Sequence, residues 1–148
     1  MEFKKLANNT INFTLNRIIE IVGIIILISG ILLLISLITF SPDDPNFIFP
    51  DNTQIKNILG FRGSFTADLF FQSIGLIALL VPLSLIFSAM SIVLYKKIFL
   101  IIESAFYSIL YSLIGSLFFT FFYPSTFKLY INGNGGFIGN FFDNPYIK

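Results

Sequence analysis

Residues 21–40 read IVGIIILISGILLLISLITF, a run without a single charged side chain. About 20 residues at about 1.5 Å rise each span a hydrocarbon layer of about 30 Å, so this run reads as one transmembrane helix, with the span placed at about 18–40. Lys4, Lys5 and Arg17 precede it, as they would a secretory signal. The run is too long for such a signal's apolar region, however, and no small-x-small cleavage site follows it. Residues 1–17 form a short polar lead-in, expected on the cytoplasmic side.

Two further runs follow. Residues 69–95 are apolar apart from Pro82, where a kink is expected, because a membrane helix can re-satisfy the carbonyl that a proline frees. Lys96 and Lys97 close this run, and residues 98–123 form the third almost at once, so the pair reads as a tight antiparallel hairpin with a basic turn. A partial fourth span starts at 135 and gives way to a tail at 143–148. The membrane domain thus covers 18–142, and the fold class is an all-α integral membrane protein with three full transmembrane helices and the start of a fourth.

Composition agrees with this. Of the 148 residues, 55% are hydrophobic, 18% aromatic and only 11% charged, which leaves too little polar surface to cover a water-soluble globule. The formal net charge of +1 gives no basic face for nucleic acid, and direct binding of DNA by this segment is not expected. Cys and His are both absent, which removes disulfides, thiolate and imidazole catalysis and the usual zinc sets. No cofactor, metal site or catalytic residue is expected.

Topology follows from the short loops. Lys4, Lys5 and Arg17 lie at one end, and Lys96 and Lys97 lie two crossings away at the same end, which marks it as cytoplasmic. The outer loop, 41–68, holds Asp43, Asp44, Asp51 and Asp68 against Lys56 and Arg62; Lys128 is a minor exception on that side.

The remaining polar residues read first as architecture. Ser41-Pro42-Asp43-Asp44-Pro45 is turn chemistry that ends the first helix: the prolines fix φ, and the carboxylates accept from local backbone. Asp68 stands one residue before the second apolar run, where it or Thr66 would cap a helix N-terminus. Glu103 is the one ionisable group inside an apolar run, and it is expected to snorkel to, or pair with, the basic turn Lys96–Lys97. Glu20 reads in the same way. Ser104, Ser108, Ser112 and Ser116 recur every four residues as a packing seam, matched by Ser84, Ser88, Ser91 and Ala78 on the second helix and by Gly23 and Gly30 on the first. The Gly133, Gly135, Gly136, Gly139 cluster lacks the Lys-Ser or Lys-Thr of a phosphate loop, and its small-xxx-small spacing suits helix packing.

Four features in this order resemble the N-terminal membrane region of FtsK/SpoIIIE-type DNA translocases. They are an apolar first helix, the Ser41–Pro45 turn, a Gly-x-x-Gly-x-x-x-Ala-Asp pattern at Gly60, Gly63, Ala67 and Asp68, and a Gly-Gly-x-Ile-Gly pattern at Gly135, Gly136, Ile138 and Gly139. The resemblance implies a four-helix anchor in the bacterial inner membrane with a cytoplasmic N-terminus. It also implies septal targeting, contact with cell-division membrane proteins, self-association and support of motor assembly in chromosome segregation. The family's ATP-driven motor is absent from this sequence, so the chain reads as a truncated, non-enzymatic portion. The reading from another class is a small transporter or channel subunit, with Glu103 and the serine face lining a path.

Overall fold

The computed structural model describes residues 2–45, 54–97, 99–124 and 132–143. The expectations for Asp51, Lys128 and the tail 144–148 lie outside them. The described chain is helical: α1 (Glu2–Ile38), α2 (Gly60–Ile74), a 3-10 turn (Gly75–Leu79), α3 (Leu80–Tyr95), α4 (Phe99–Phe122) and α5 (Gly136–Asp143). Three helical stretches, Asn8–Ile38, Gly60–Tyr95 and Phe99–Phe122, are long and apolar enough to cross a membrane.

Side-chain placement is that of a membrane domain. Large apolar residues such as Ile21, Ile28, Phe87, Leu94, Ile102 and Phe106 point outward, whereas Ser36, Ser64, Ser112, Ser116, Thr120 and Asn134 are buried. Lipid tails are as apolar as leucine, so close approach and hydrogen bonding, not oil-drop burial, hold such helices together. The glycines of α1 serve that approach. A Cβ at Gly23 would stand 2.7 Å from Val93 Cγ2, and one at Gly30 would stand 3.0 Å from Ile86 Cγ1 on α3. One apolar core forms where Leu33 and Leu37 of α1 meet Ala67 and Phe71 of α2 and Ala78 of the turn, with the Phe40 and Phe71 rings 5.0 Å apart.

Several boundaries differ from expectation. The lead-in to residue 17 is not a separate segment: α1 continues through it, 37 residues in all and about 55 Å long. That exceeds a hydrocarbon layer of about 30 Å, so its N-terminal turns extend beyond the membrane. The outer loop ends at Leu59 rather than residue 68, because Gly60-Phe61-Arg62-Gly63 already belongs to α2. Asp68 is therefore mid-helix, where it accepts from Gln72 Nε2 at 3.4 Å, and Thr66 Oγ1 donates back to Arg62 O at 2.7 Å; neither caps the helix.

The second crossing breaks at Gly75–Leu79 instead of kinking at Pro82. Pro82 sits in the first turn of α3, where a missing N–H is no loss because nothing inside the helix would accept from it. The register of the contacts fixes the consequence. Gly30 and Gly23 of α1 run antiparallel beside Leu85–Ile86 and Ile92–Val93, while Ser36 already touches Gly63. A step of six residues along α1 thus faces a step of 22 residues from 63 to 85, a length that a straight helix would stretch to about 33 Å. The chain from α2 to α3 therefore does not run straight alongside α1 but turns at the 3-10 segment.

At the opposite, basic end Lys96 adopts φ 54° and closes α3 by donating its N–H to Ile92 O at 2.8 Å. Its Nζ reaches Glu20 of α1 at 2.6 Å, and Glu20 also holds Arg17 at 2.5 Å. Glu20 therefore behaves as expected. Glu103 is exposed on α4 and forms no ion pair with Lys96 or Lys97 among the described residues, so the pairing part of its expectation is not met.

Candidate functional site

Two polar junctions and one groove carry nearly all of the sequence features singled out above. The first junction joins the end of α1 to the start of α2. Asp44, 5% exposed, accepts from the backbone N–H groups of Lys56 (2.8 Å) and Asn57 (2.9 Å), so Ser41–Pro45 clasps the far side of the loop as well as ending a helix. Asn57, equally buried, donates from Nδ2 to Ser36 O (2.9 Å) and Thr39 O (3.3 Å), orphan carbonyls of the last turn of α1, and accepts from Leu59 N at 3.1 Å. Ser36 Oγ donates to Gly63 O at 2.6 Å, Ser64 Oγ to Pro45 O at 3.4 Å, and a Cβ at Gly63 would run into Asn57 Oδ1. Gly63 and Ala67 are thus small because α1 and the loop lie against them.

Asp43 has a lesser role. It pairs with Lys56 Nζ at 2.9 Å, with both side chains largely exposed. That hydrogen bond, then the Asp43 charge, raises the Lys56 pKa above its usual value. A raised folded-state pKa means the contribution is present at neutral pH and lost as alkaline pH deprotonates the lysine. Water screens an exposed pair, so Lys56→Met is expected to leave the thermal midpoint in detergent unmoved between pH 6 and pH 9.

The second junction is the seat of the glycine-rich loop, against the break in the second crossing. Gly75 has φ 70° and ψ −147°, and Leu76 N donates to Asn134 O at 2.9 Å. Gly136, φ 66°, lies so close that a Cβ there would stand 2.5 Å from Gly75 N. On α4, Ser116 Oγ donates to Gly135 O, Thr120 Oγ1 donates to Ser116 O at 3.0 Å, and both Gly135 and Gly139 lie flat against Thr120. Asn134 Nδ2 donates to Tyr123 O, and Asn132 Nδ2 to Gln72 O at 3.3 Å. Gly135, Gly136 and Gly139 thus lie against α4 and the helix break at Gly75.

The four serines of α4 do not face one partner. Each step of four residues turns about 40° around a helix, so Ser104 and Ser116 point about 120° apart. Ser112 and Ser116 are buried, the latter under the glycine loop, whereas Ser104 and Ser108 face α3. There, Ser84, Phe87, Ser88, Ser91, Leu100, Glu103, Ser104, Tyr107, Ser108 and Tyr111 line an open groove of about 350 Å³.

Residues that the sequence reading did not single out prove central: Ser36, Asn57, Gly75 and Asn134. An asparagine or a lone glycine beside strongly apolar runs was the available signal.

The architecture is that of a multi-pass helical membrane domain whose loops are locked onto its helix ends. The chain belongs to the family described as the 4TM region of DNA translocase FtsK/SpoIIIE, which it matches over residues 16–146. It is also similar to a DNA translocase FtsK of Rickettsia typhi (strain ATCC VR-144 / Wilmington), with 29% identity over 75 residues, or 49% of this chain. The match covers 10% of that relative's length. No solved structure matches it significantly. The matched region is the membrane region of the family and not its motor.

Proposed function

We propose that this chain is the membrane-anchoring N-terminal region of a DNA translocase acting in cell division and chromosome segregation, where it serves septal targeting and motor assembly and has no catalytic role of its own. The observation that carries this reading is the family match across both junctions, Ser41–Gly63 and Gly133–Gly139. Loop residues such as Asp44, Asn57 and Asn134, bonded to the backbone at one end of the helical bundle, suit a fixed anchor better than a gated transporter.

The anchor sits in the bacterial inner membrane with the basic end, Arg17, Lys96 and Lys97, in the cytoplasm. A second pair of expectations concerns its neighbours: cell-division membrane proteins and further copies of the chain. Because the chain has no native cysteine, orientation is directly testable. Lys56→Cys is expected to react with a membrane-impermeant maleimide in intact spheroplasts, and Lys97→Cys only after permeabilisation; the reverse pattern inverts the topology. For targeting, a fluorescent fusion of residues 1–148 is expected to gather at midcell in dividing cells. An even distribution around the envelope would reject septal targeting by this region.

A further inference from the structure

The depth of α2 in the membrane follows from its contacts at both ends. Gly30 of α1 lies against Leu85 and Ile86 of α3, and Ser84 of α3 bonds to Ser108 and Tyr111 of α4. Steps of about 1.5 Å per residue from these points put Ser36 of α1 level with Gly115 of α4, to within about one turn. Ser36 Oγ donates to Gly63 O at 2.6 Å, and Ile77 lies against Gly115, so the chain stands at nearly one depth before and after α2. Yet α2 has 15 residues and is about 22 Å long. It therefore lies close to the membrane plane.

The charges of Arg17, Glu20 and Lys96 mark the basic interface. A hydrocarbon layer of about 30 Å measured along α1 from Glu20 ends near residue 40, about 6 Å past Ser36. Thus α2 sits within about one turn of the opposite interface. Its bundle side carries Gly63, Ser64, Ala67 and Phe71, all buried. Its free side carries Phe61, Phe65 and Leu69 in steps of four, 46%, 37% and 53% exposed, with Arg62 exposed beside them. The same pattern opens α5, where Gly136-Phe137-x-Gly139-x-Phe141 matches Gly60-Phe61-x-Gly63-x-Phe65, with Gly139 packed on α4 and both phenylalanines exposed. Ile38 at the end of α1 and Phe122 at the end of α4 are exposed as well, so the stripe on α2 continues the lipid-facing surface of the crossings.

We infer that α2 is an interfacial helix embedded in the lipid layer at the loop end, with Phe61, Phe65 and Leu69 inserted side by side among the acyl chains and Arg62 at the phospholipid phosphates. Helices that lie in a membrane surface bind it in this way, with apolar side chains buried about 5–10 Å into the boundary between headgroups and acyl chains and cations on the phosphates. The inference rests on contacts within the fold and not on the septal reading.

The test uses the full chain in phosphatidylcholine vesicles. Because it has no native cysteine, Phe61→Cys, Phe65→Cys and Leu69→Cys each carry one bimane fluorophore, and all three positions face away from the packed side. Quenching by lipids with a nitroxide at the headgroup or at successive acyl carbons gives the depth of each label, with Ile31→Cys on α1 as the deep reference. The three labels are expected within about 4 Å of one depth, just below the headgroups, whereas a membrane-crossing helix would separate residues 61 and 69 by about 12 Å. Arg62→Cys is expected to be quenched chiefly by the headgroup nitroxide and by iodide in the water. A graded depth from Phe61 to Leu69 overturns the inference, and an Arg62 label as deep as its neighbours overturns the phosphate contact. Iodide quenching of all three stripe labels would put them in water, and energy transfer between labelled copies without lipid quenching would make the stripe a self-contact; either result also overturns it.

Discussion

Replacing Gly75 with alanine is expected to lower stability by about 3–5 kcal/mol and to release the glycine-rich loop from the bundle. Two costs add at this position. At φ 70° and ψ −147° an L side chain is strained by about 1–3 kcal/mol before any neighbour is considered. The new Cβ would also run into Asn134 O and lie 2.7 Å from Gly135 C, backbone atoms that cannot rotate away. Relief requires moving the loop, which breaks the 2.9 Å bond from Leu76 N to Asn134 O and uncovers Thr120 and Ser116. Gly60→Ala is the control, because Gly60 has φ 66° but nothing near its absent Cβ, so only the left-handed cost of about 1–2 kcal/mol remains. Gly115→Ala is a second control: it would meet the Ile77 side chain at 2.5 Å, a group that can adjust its rotamer. Denaturant-induced unfolding in micelles gives the order, and hydrogen exchange at the Leu76 N–H, which Asn134 O accepts, reports loop release. Equal losses at Gly75 and Gly60 would show that backbone conformation, not the docked loop, demands the glycine.

The same position shows what the sequence disclosed and what it withheld. The crossings were legible because uninterrupted apolar length is a property of the chain itself, and the family resemblance was legible because four motifs keep their order. The break in the second crossing was assigned to Pro82, the stronger helix breaker in isolation. In the fold that proline occupies a first turn, where its missing donor costs nothing, and the break falls at Gly75 because the loop from α4 must approach there. That approach is a contact between residues about 60 apart, and local patterning carries no trace of it. Glu103 failed for a related reason: nearness in sequence to Lys97 suggested a pair, but the turn directs Lys96 to Glu20 on α1. The serine repeat was visible, whereas its division between two partners follows from the helix's rotation and from where the glycine loop lands.

Both junctions share one physical logic. In a membrane domain few side chains gain from burial, so the loop end is held by a small number of directed bonds, each with more to lose when broken than a comparable surface bond in water. The two asparagines, Asn57 and Asn134, act alike in one respect: each is at most 3% exposed, and its Nδ2 donates to backbone carbonyls at a helix end, Ser36 O and Thr39 O for Asn57 and Tyr123 O for Asn134.

Asp44→Ala is therefore expected to be the most damaging change in the Ser41–Pro45 turn, at about 3–5 kcal/mol, while Asp43→Ala leaves stability within experimental scatter. Asp44 accepts two backbone N–H groups with a buried carboxylate, and hydrogen bonds to a charged partner contribute about 1.5–3 kcal/mol each. Removing the carboxylate leaves Lys56 N and Asn57 N without it, and Asn57 is the residue that caps Thr39 and Ser36. The loss therefore spreads to the packing of α1 on α2 at Gly63. Asp44→Asn tests the role of charge, because the amide keeps one acceptor oxygen but turns the other towards an N–H as a donor. It is expected to recover less than half of the loss. Asn57→Ala should match Asp44→Ala, and the double variant should cost little more than either alone, since the two side chains hold one structure. Thermal unfolding of the five variants in the same detergent settles the comparison. Full additivity would mean that Asp44 and Asn57 stabilise separate elements, and a large effect at Asp43 would mean that the exposed charge, not the buried clasp, holds the loop.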